Sequence, residues 1–444
     1  MQIVRNHVGN IYGLDIKLTE ANGHIIPVGI EMNGVDFGTN FYGYKDGFNY
    51  YRAFARVLGA AAQGKPIFIQ GYKNEQRDSL LDANERLRIQ RKNEATQRYL
   101  KQRRFVLDDI FDFDASWSDD MHAFDLSKLE KEVDNEEETH YLTAAENEKV
   151  TMVVFVDIKY RNNNLEFLLT DGRKMIIKPQ DIGIIRATFK QLPKVPPEYR
   201  HLFLNDPLIE SILDSKPLFH YLGEFNSALR NLFAPSIPYG AGVNEASDVI
   251  SFLNSMNSEM VVRKKGNSYC GVGVRIIPAG EIISELGPQL HKPVSLAMLD
   301  AMVDIMIVGV RKLRYENLTS MYEQFVPSIP IYDSRTDHFH DGCARTVVYT
   351  RNGQAPTVLG SQWRLAPASI DDLTAAPEQR FRANLSRGAR EMPIDPIQEK
   401  IINDFAMQVV REFEKAICDY KNFIKDGMGY LNQEYPGITE AEAF

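Results

Sequence analysis

The sequence predicts an α+β chain of several domains: antiparallel sheets and hairpins with packed helices, a charged extended arm, and a long amphipathic C-terminal helix. Three observations carry that expectation. Runs of β-formers are joined by Asn-Gly and Asp-Gly turns, and apolar residues recur at helical spacing in separate stretches. At 444 residues the chain also exceeds what a single core usually holds. Its 44% hydrophobic and 25% charged residues are those of a globular protein.

Taken in order, residues 11–18 and 24–32 read as two strands turned at Asn22-Gly23, a favoured hairpin dipeptide. Asp46 can cap a helix reaching about Gln63, with Phe48, Tyr51, Ala55, Leu58 and Ala62 on one face. Gly59 to Lys65 has the spacing of a phosphate-binding loop, but Pro66 stands where that loop needs Ser or Thr. Gly64 is therefore read as a helix C-cap and Pro66 as the stop before a short strand to Gln70. Residues 151–160, 165–170 and 174–178, joined by Asn162-Asn163-Asn164 and Asp171-Gly172, predict a three-stranded meander.

After Pro193, Pro196 and Pro197 a helical stretch runs over 207–233, interrupted at Pro217, and another helix covers 244–256. Strands are expected over 261–287, with Pro278-Ala279-Gly280-Glu281 as a hairpin turn. Gly271-Val272-Gly273 followed by that segment resembles the opening hairpin of SET-type methyltransferase domains. The motif that binds their methyl donor has no counterpart, so no activity is carried over. Residues 295–313 form an apolar helix carrying Asp300 and Asp304, and Asn352-Gly353 turns a further hairpin. Residues 366–393 read as a polar loop. Asp395-Pro396 then starts the last helix, on which Ile397, Ile401, Phe405, Val409, Phe413 and Ile417 step by four until Gly427. The expected divisions are residues 1–76, 77–148, 149–190, 191–394 and 395–444.

Charge is distributed unevenly. Residues 77–104 hold nine Lys/Arg against four Asp/Glu, while 108–138 hold thirteen carboxylates against two lysines. With a net charge of −9, the chain outside the acidic block is close to neutral. Bulk charge thus gives no reason to expect strong nonspecific nucleic-acid binding. Such blocks face solvent, a partner or each other, because a core cannot use them. The longest apolar stretch is broken by Asp300 and Asp304, so no membrane span is expected. Three widely separated cysteines suit a reducing cytoplasm better than a disulfide framework.

Few residues point to chemistry. In Asp337-His338-Phe339-His340-Asp341, two histidines two apart share a strand face, so His338, His340 and Asp341 are candidate ligands for a divalent metal. No other cofactor is expected. Arg86, Arg88, Arg91, Lys92, Arg98, Arg103 and Arg104 form a candidate interaction surface. The sequence therefore points first to a non-enzymatic structural or assembly protein, of the kind found in viral and phage virions. Its partners would be itself or other subunits, in a host cytoplasm and virion. A metal-dependent enzyme using His338 and His340, and a nucleic-acid binder using the basic arm, are the alternatives.

Overall fold

The computed structural model describes residues 8–34, 50–71, 141–187, 194–213, 216–239, 246–256, 258–265, 274–286, 320–351, 354–383 and 389–434. The charge blocks over 77–138, the interaction residues Arg86 to Arg104, and the helix expected over 295–313 lie outside them.

In chain order, β1 (Asn10–Ala21) and β2 (His24–Asn33) form a hairpin, followed by α1 (Tyr50–Ala62) and β3 (Ile67–Gln70). β4 (Met152–Arg161), β5 (Asn164–Leu169) and β6 (Lys174–Ile177) make the expected meander, with β7 (Ile184–Arg186) beyond it. Next come α2 (Pro207–Leu213), α3 (Lys216–Phe225), α4 (Ser227–Arg230), β8 (Ser236–Tyr239) and α5 (Ala246–Ser255). β9 (Met260–Lys265), β10 (Arg275–Pro278) and α6 (Ala279–Leu286) follow. β11 (Ser320–Gln324), β12 (Ile331–Asp333), β13 (His338–His340), β14 (Gly342–Thr350) and β15 (Thr357–Leu365) lead to α7 (Pro377–Phe381). β16 (Arg390–Met392) and α8 (Pro396–Glu434) complete the described chain.

The α+β class is as expected, with antiparallel sheets, hairpins and packed helices. The central sheet has the order β16-β15-β14-β1-β2 and is antiparallel throughout. It unites the hairpin at residues 10–33 with strands more than 300 residues later, Ile11 facing Tyr349 and Asp15 facing Arg345. A second sheet, β10-β9-β11-β8, is also antiparallel. A third, β6-β5-β4-β3-β7, is mixed, with β3 parallel to both β4 and β7.

One face of the central sheet is mostly apolar, with Thr346, Thr350 and Ser361 as its polar members. Tyr12, Leu14, Ile16, Leu18, Ala344, Val348, Trp363 and Leu365 pack there against α8 and α2 to α4. Polar pins fix α8 in place: the Tyr12 hydroxyl donates to Glu414 at 3.0 Å, and Ser361 to Asn403 at 2.6 Å. α1 lies on the other side of the sheet, its Tyr51, Phe54 and Leu58 packed with Ile11, Val347, Tyr349 and Leu359 and with Ile67 and Ile184 of the third sheet. Second-sheet residues Val261, Ile277 and Tyr322 bury Val249, Leu253 and Ile282 of α5 and α6.

The helical stretch expected over 207–233 comprises separate helices, α2 ending at Leu213 and α3 starting at Lys216, with Pro217 in the first turn of α3, where its missing N–H costs no bond. Three local expectations are corrected. Ala279 to Glu281 turn no hairpin but open α6, whose Ile282 is buried. Gly427 does not end α8, which runs to Glu434, since one internal glycine costs only about 1 kcal/mol. The row expected on α8 also drifts: Ile397 is 74% exposed, whereas Ile402, Ala406, Val410 and Ala416 are buried beside Phe405, Val409, Phe413 and Ile417. Steps of four overshoot a 3.6-residue turn, so the buried stripe moves between neighbouring rows. Among the described residues no helix is long and apolar enough to cross a membrane.

Candidate functional site: the charged half of the central sheet

Side chains alternate along a strand, so each strand of the central sheet offers one set of residues to α8 and another to the opposite face. On that opposite face the chemistry changes halfway along. β1 presents Ile11, then Asp15 and Lys17; β14 presents Tyr349 and Val347, then Arg345 and Cys343; β15 presents Leu359, then Gln362 and Arg364. The apolar half lies under α1. The polar half is in register across strands: Glu31, Asp15, Arg345 and Gln362 form one row, and Cys343, Arg364 and Glu391 the next. Two β-bulges make this register possible. In one, Ile30 is extra where Asp15 faces Glu31 and Ile16 faces Gly29. In the other, Val347 faces Gly360 and Val348 faces Val358, which leaves Leu359 extra.

The charges on this face are mutually arranged. Arg345 donates to both Asp15 oxygens, at 2.6 and 2.8 Å, with the arginine side chain only 7% exposed. Lys17 reaches Asp341 at 2.6 Å and lies over the Phe325 ring, and Asp341 also accepts from the Ser328 N–H at 2.7 Å. At the β2 edge, Lys216 is 3.2 Å from Glu31. Burial would raise the Glu31 carboxyl, but Lys216 and Lys264 outweigh it and hold it down at about 2. Lys264 of the second sheet donates to both Glu323 oxygens, at 3.0 and 2.9 Å, and to the Ile30 carbonyl at 3.5 Å. Burial disfavours its charge, yet Glu323 and Glu31 more than compensate and raise the ammonium.

The far end is less balanced. Burial, reinforced by Arg345, lowers the Arg364 guanidinium to about 10, and burial pushes the Cys343 thiol well above its ordinary range. Glu391, opposite Arg364, is pushed up to about 7 by burial despite that arginine. Its carboxyl accepts a 2.6 Å hydrogen bond from Gln362 Nε2. The other end of that amide, Gln362 Oε1, is buried with no donor. A buried acceptor left empty costs about 1–3 kcal/mol.

The candidate metal ligands His338, His340 and Asp341 lie on and just after β13. β13 pairs with β12, and His338 is exposed opposite Asp333. His340 is buried, with Nδ1 3.0 Å from the carbonyls of both Ala366 and Ala368. Its Nε2 is 3.0 Å from both Thr336 Oγ1 and Arg390 Nη2. Asp341 is held by Lys17 and Ser328. The three residues are therefore close in sequence but engaged with different partners. Among the described residues no three His, Cys, Asp or Glu side chains converge on a metal-sized site. The sequence reading missed Asp15, Lys17, Glu31, Arg345, Gln362, Arg364 and Glu391. One signal was available: Arg345 and Arg364 are charged residues in strands that otherwise carry no charge.

These features define an α+β protein whose central sheet carries one mostly apolar face and one half-charged face. No family model and no curated protein matches its sequence. In structure the chain is similar to a putative gamma-glutamylcysteine synthetase from Methylobacillus flagellatus KT, at 9% identity and a TM-score of 0.45, over 94% of this chain and 90% of that one. It is also similar to D-alanyl-alanine synthetase A from Vibrio cholerae, at 11% identity and a TM-score of 0.34, over 60% and 71% of the two chains. A third similar structure is a glutathione synthetase-like effector from Globodera pallida, at 9% identity and a TM-score of 0.35, over 82% and 73%. The expectation of a non-enzymatic virion or phage assembly protein is corrected by these comparisons, since all three are named as synthetases or synthetase-like. That expectation leaned on the charge blocks over 77–138, whereas the charges described above come from strands scattered along the chain.

Proposed function

We propose that the protein is an enzyme acting on a small charged metabolite at the charged half of the central sheet. The observation that carries this reading is the Gln362–Glu391 pair: a buried amide oxygen without a donor beside a carboxyl pushed up to about 7. Buried charge seldom adds stability over a well-packed apolar core, so a dense array of it at a strand end speaks for function. A carboxyl that titrates near neutrality can both hold and release a proton under working conditions. The Arg364 guanidinium suits an anionic oxygen such as a carboxylate, while Gln362 Oε1 suits an N–H.

A carboxylate site beside an amine site suits bond formation between the two. Carboxylate–amine ligation is therefore the first reaction to assay, with a nucleoside triphosphate supplied as the activating co-substrate. In that reaction the nucleotide's terminal phosphoryl group is transferred to the carboxylate, the amine attacks the acyl carbon and expels phosphate, and the proton the amine sheds goes to the Glu391 carboxylate. The separated cysteines and the buried, free Cys343 thiol suit a reducing cytoplasm. The test is nucleotide-dependent product formation from a panel of amino acids and simple amines, comparing the native protein with Glu391→Gln. Loss of a proton acceptor is expected to lower kcat by about 100-fold or more. Activity at the native level in Glu391→Gln would sink the reading.

A further inference from the structure

Gln362 is 2% exposed, and its two amide ends are chemically opposite. An ionised carboxylate only accepts, so Nε2 must be the end that faces Glu391, as observed at 2.6 Å. Oε1, on the same amide, is left without a donor. A protonated carboxyl behaves differently. It carries an O–H as well as a carbonyl oxygen, and an amide and a carboxylic acid can satisfy each other twice, N–H to carbonyl and O–H to amide oxygen. We propose that Gln362 Oε1 is the receptor for an ammonium or amine N–H of the ligand, and that a proton on Glu391 competes with the ligand for that oxygen. The proposal rests on the reading of this face as the active site and names the group it recognises.

The surroundings leave Glu391 as the group that titrates in the relevant window. Arg364 faces it from β15 and is charged up to about 10. Cys343 and Arg345 on β14 are both raised, and Asp15 and Lys17 on β1 complete the same face, each in an ion pair. On the neighbouring side of β16, Arg390 reaches His340, whose imidazole burial holds below its ordinary range. Glu391 itself lies at about 7, so ligand and proton exchange places near neutrality.

The experiment uses two matched probes, n-propylammonium and propionate, both ionised throughout from pH 6 to pH 8, in ligand-observed NMR titrations of the full chain. The ammonium is expected to bind about tenfold more weakly at pH 6 than at pH 8, as one competing proton with a pKa near 7 requires. Propionate should not show that loss. Gln362→Met should abolish ammonium binding at both pH values. Glu391→Gln, whose new amide can donate permanently to Oε1, should leave it weak and independent of pH. This second variant decides the matter if Gln362→Met proves unfolded by circular dichroism. Ammonium binding that is absent, insensitive to pH, or unchanged in a folded Gln362→Met overturns the proposal. The enzyme reading is separate. If turnover falls in Glu391→Gln while the ammonium probe fails, only the receptor is lost. If binding is pH-gated but turnover survives in Glu391→Gln, the proton-transfer role is lost.

Discussion

Glu391 illustrates how a single residue couples stability to pH. Its carboxyl is raised from an ordinary 4.5 to about 7, so the folded state holds its proton more tightly than the unfolded chain does. Its contribution is fully present below about 4.5 and is lost as pH rises toward 7, an effect of about 3 kcal/mol. Glu31 has the opposite sign: its carboxyl is held at about 2, so that contribution is present above 4.5 and lost on acidification. Urea unfolding at pH 4.5 and pH 8 separates the two. The native protein should lose stability across that interval, and Glu391→Gln should lose about 3 kcal/mol less. Neither Glu391 nor Gln362 was legible as a site. Residues 366–393 read as polar loop, and the three-residue β16 is too short to show a period. The link between Glu391 and Arg364 exists only through strand register, which a linear pattern does not contain.

Among the elements, α8 was the most legible, because its start is written locally: Asp395 Oδ1 accepts from the Ile397 N–H at 2.9 Å, with Pro396 between them. Its buried face was only half legible, since the drift between rows depends on what the helix packs against. This gives a discriminating pair of substitutions. Phe413 is fully buried between the sheet and α3, edge-on to Tyr12 and stacked near Phe219. Phe413→Ala should cost about 3–5 kcal/mol. Ile397→Ala, on the row the sequence favoured equally, should change stability by no more than about 0.5 kcal/mol. Equal losses in chemical denaturation would show that the stripe is misplaced. The first hairpin and the meander were legible for a similar reason: Asn22-Gly23 and Asn162-Asn163 supply the positive φ their turns require.

For the molecule as a whole, the decisive contacts are remote in sequence. β1 pairs with β14 across more than 300 residues, and the period-2 pattern tells which face each strand offers but not which strand lies beside it. The candidate site is assembled by that pairing, which is why it was invisible while each strand was read alone. The second sheet is joined to the central one partly through Lys264, which bonds Glu323 and the Ile30 carbonyl. Lys264→Met leaves Glu323 buried without its cation and should cost about 3–5 kcal/mol. Replacing both residues by Met should recover most of that loss in urea unfolding, because a buried ion pair rarely outperforms an apolar one of similar volume. Failure of the double variant to recover would mean that the pair has a role beyond charge neutrality.

The extra residue opposite Val347 has a consequence for how such a chain can change over time. At the bulge β15 gives Leu359 to the side that α1 covers; beyond it the same side receives Gln362 and Arg364, while Trp363 and Leu365 go to the other. Substitutions can adjust the polarity of individual positions, but a one-residue insertion or deletion within residues 357–365 exchanges the whole set. It would bring an indole and an isobutyl group to the charged side and drive an arginine beneath α8. Length within this strand is therefore constrained more tightly than composition, and its descendants are free to vary at the hairpin tip before Thr357 but not between Leu359 and Leu365.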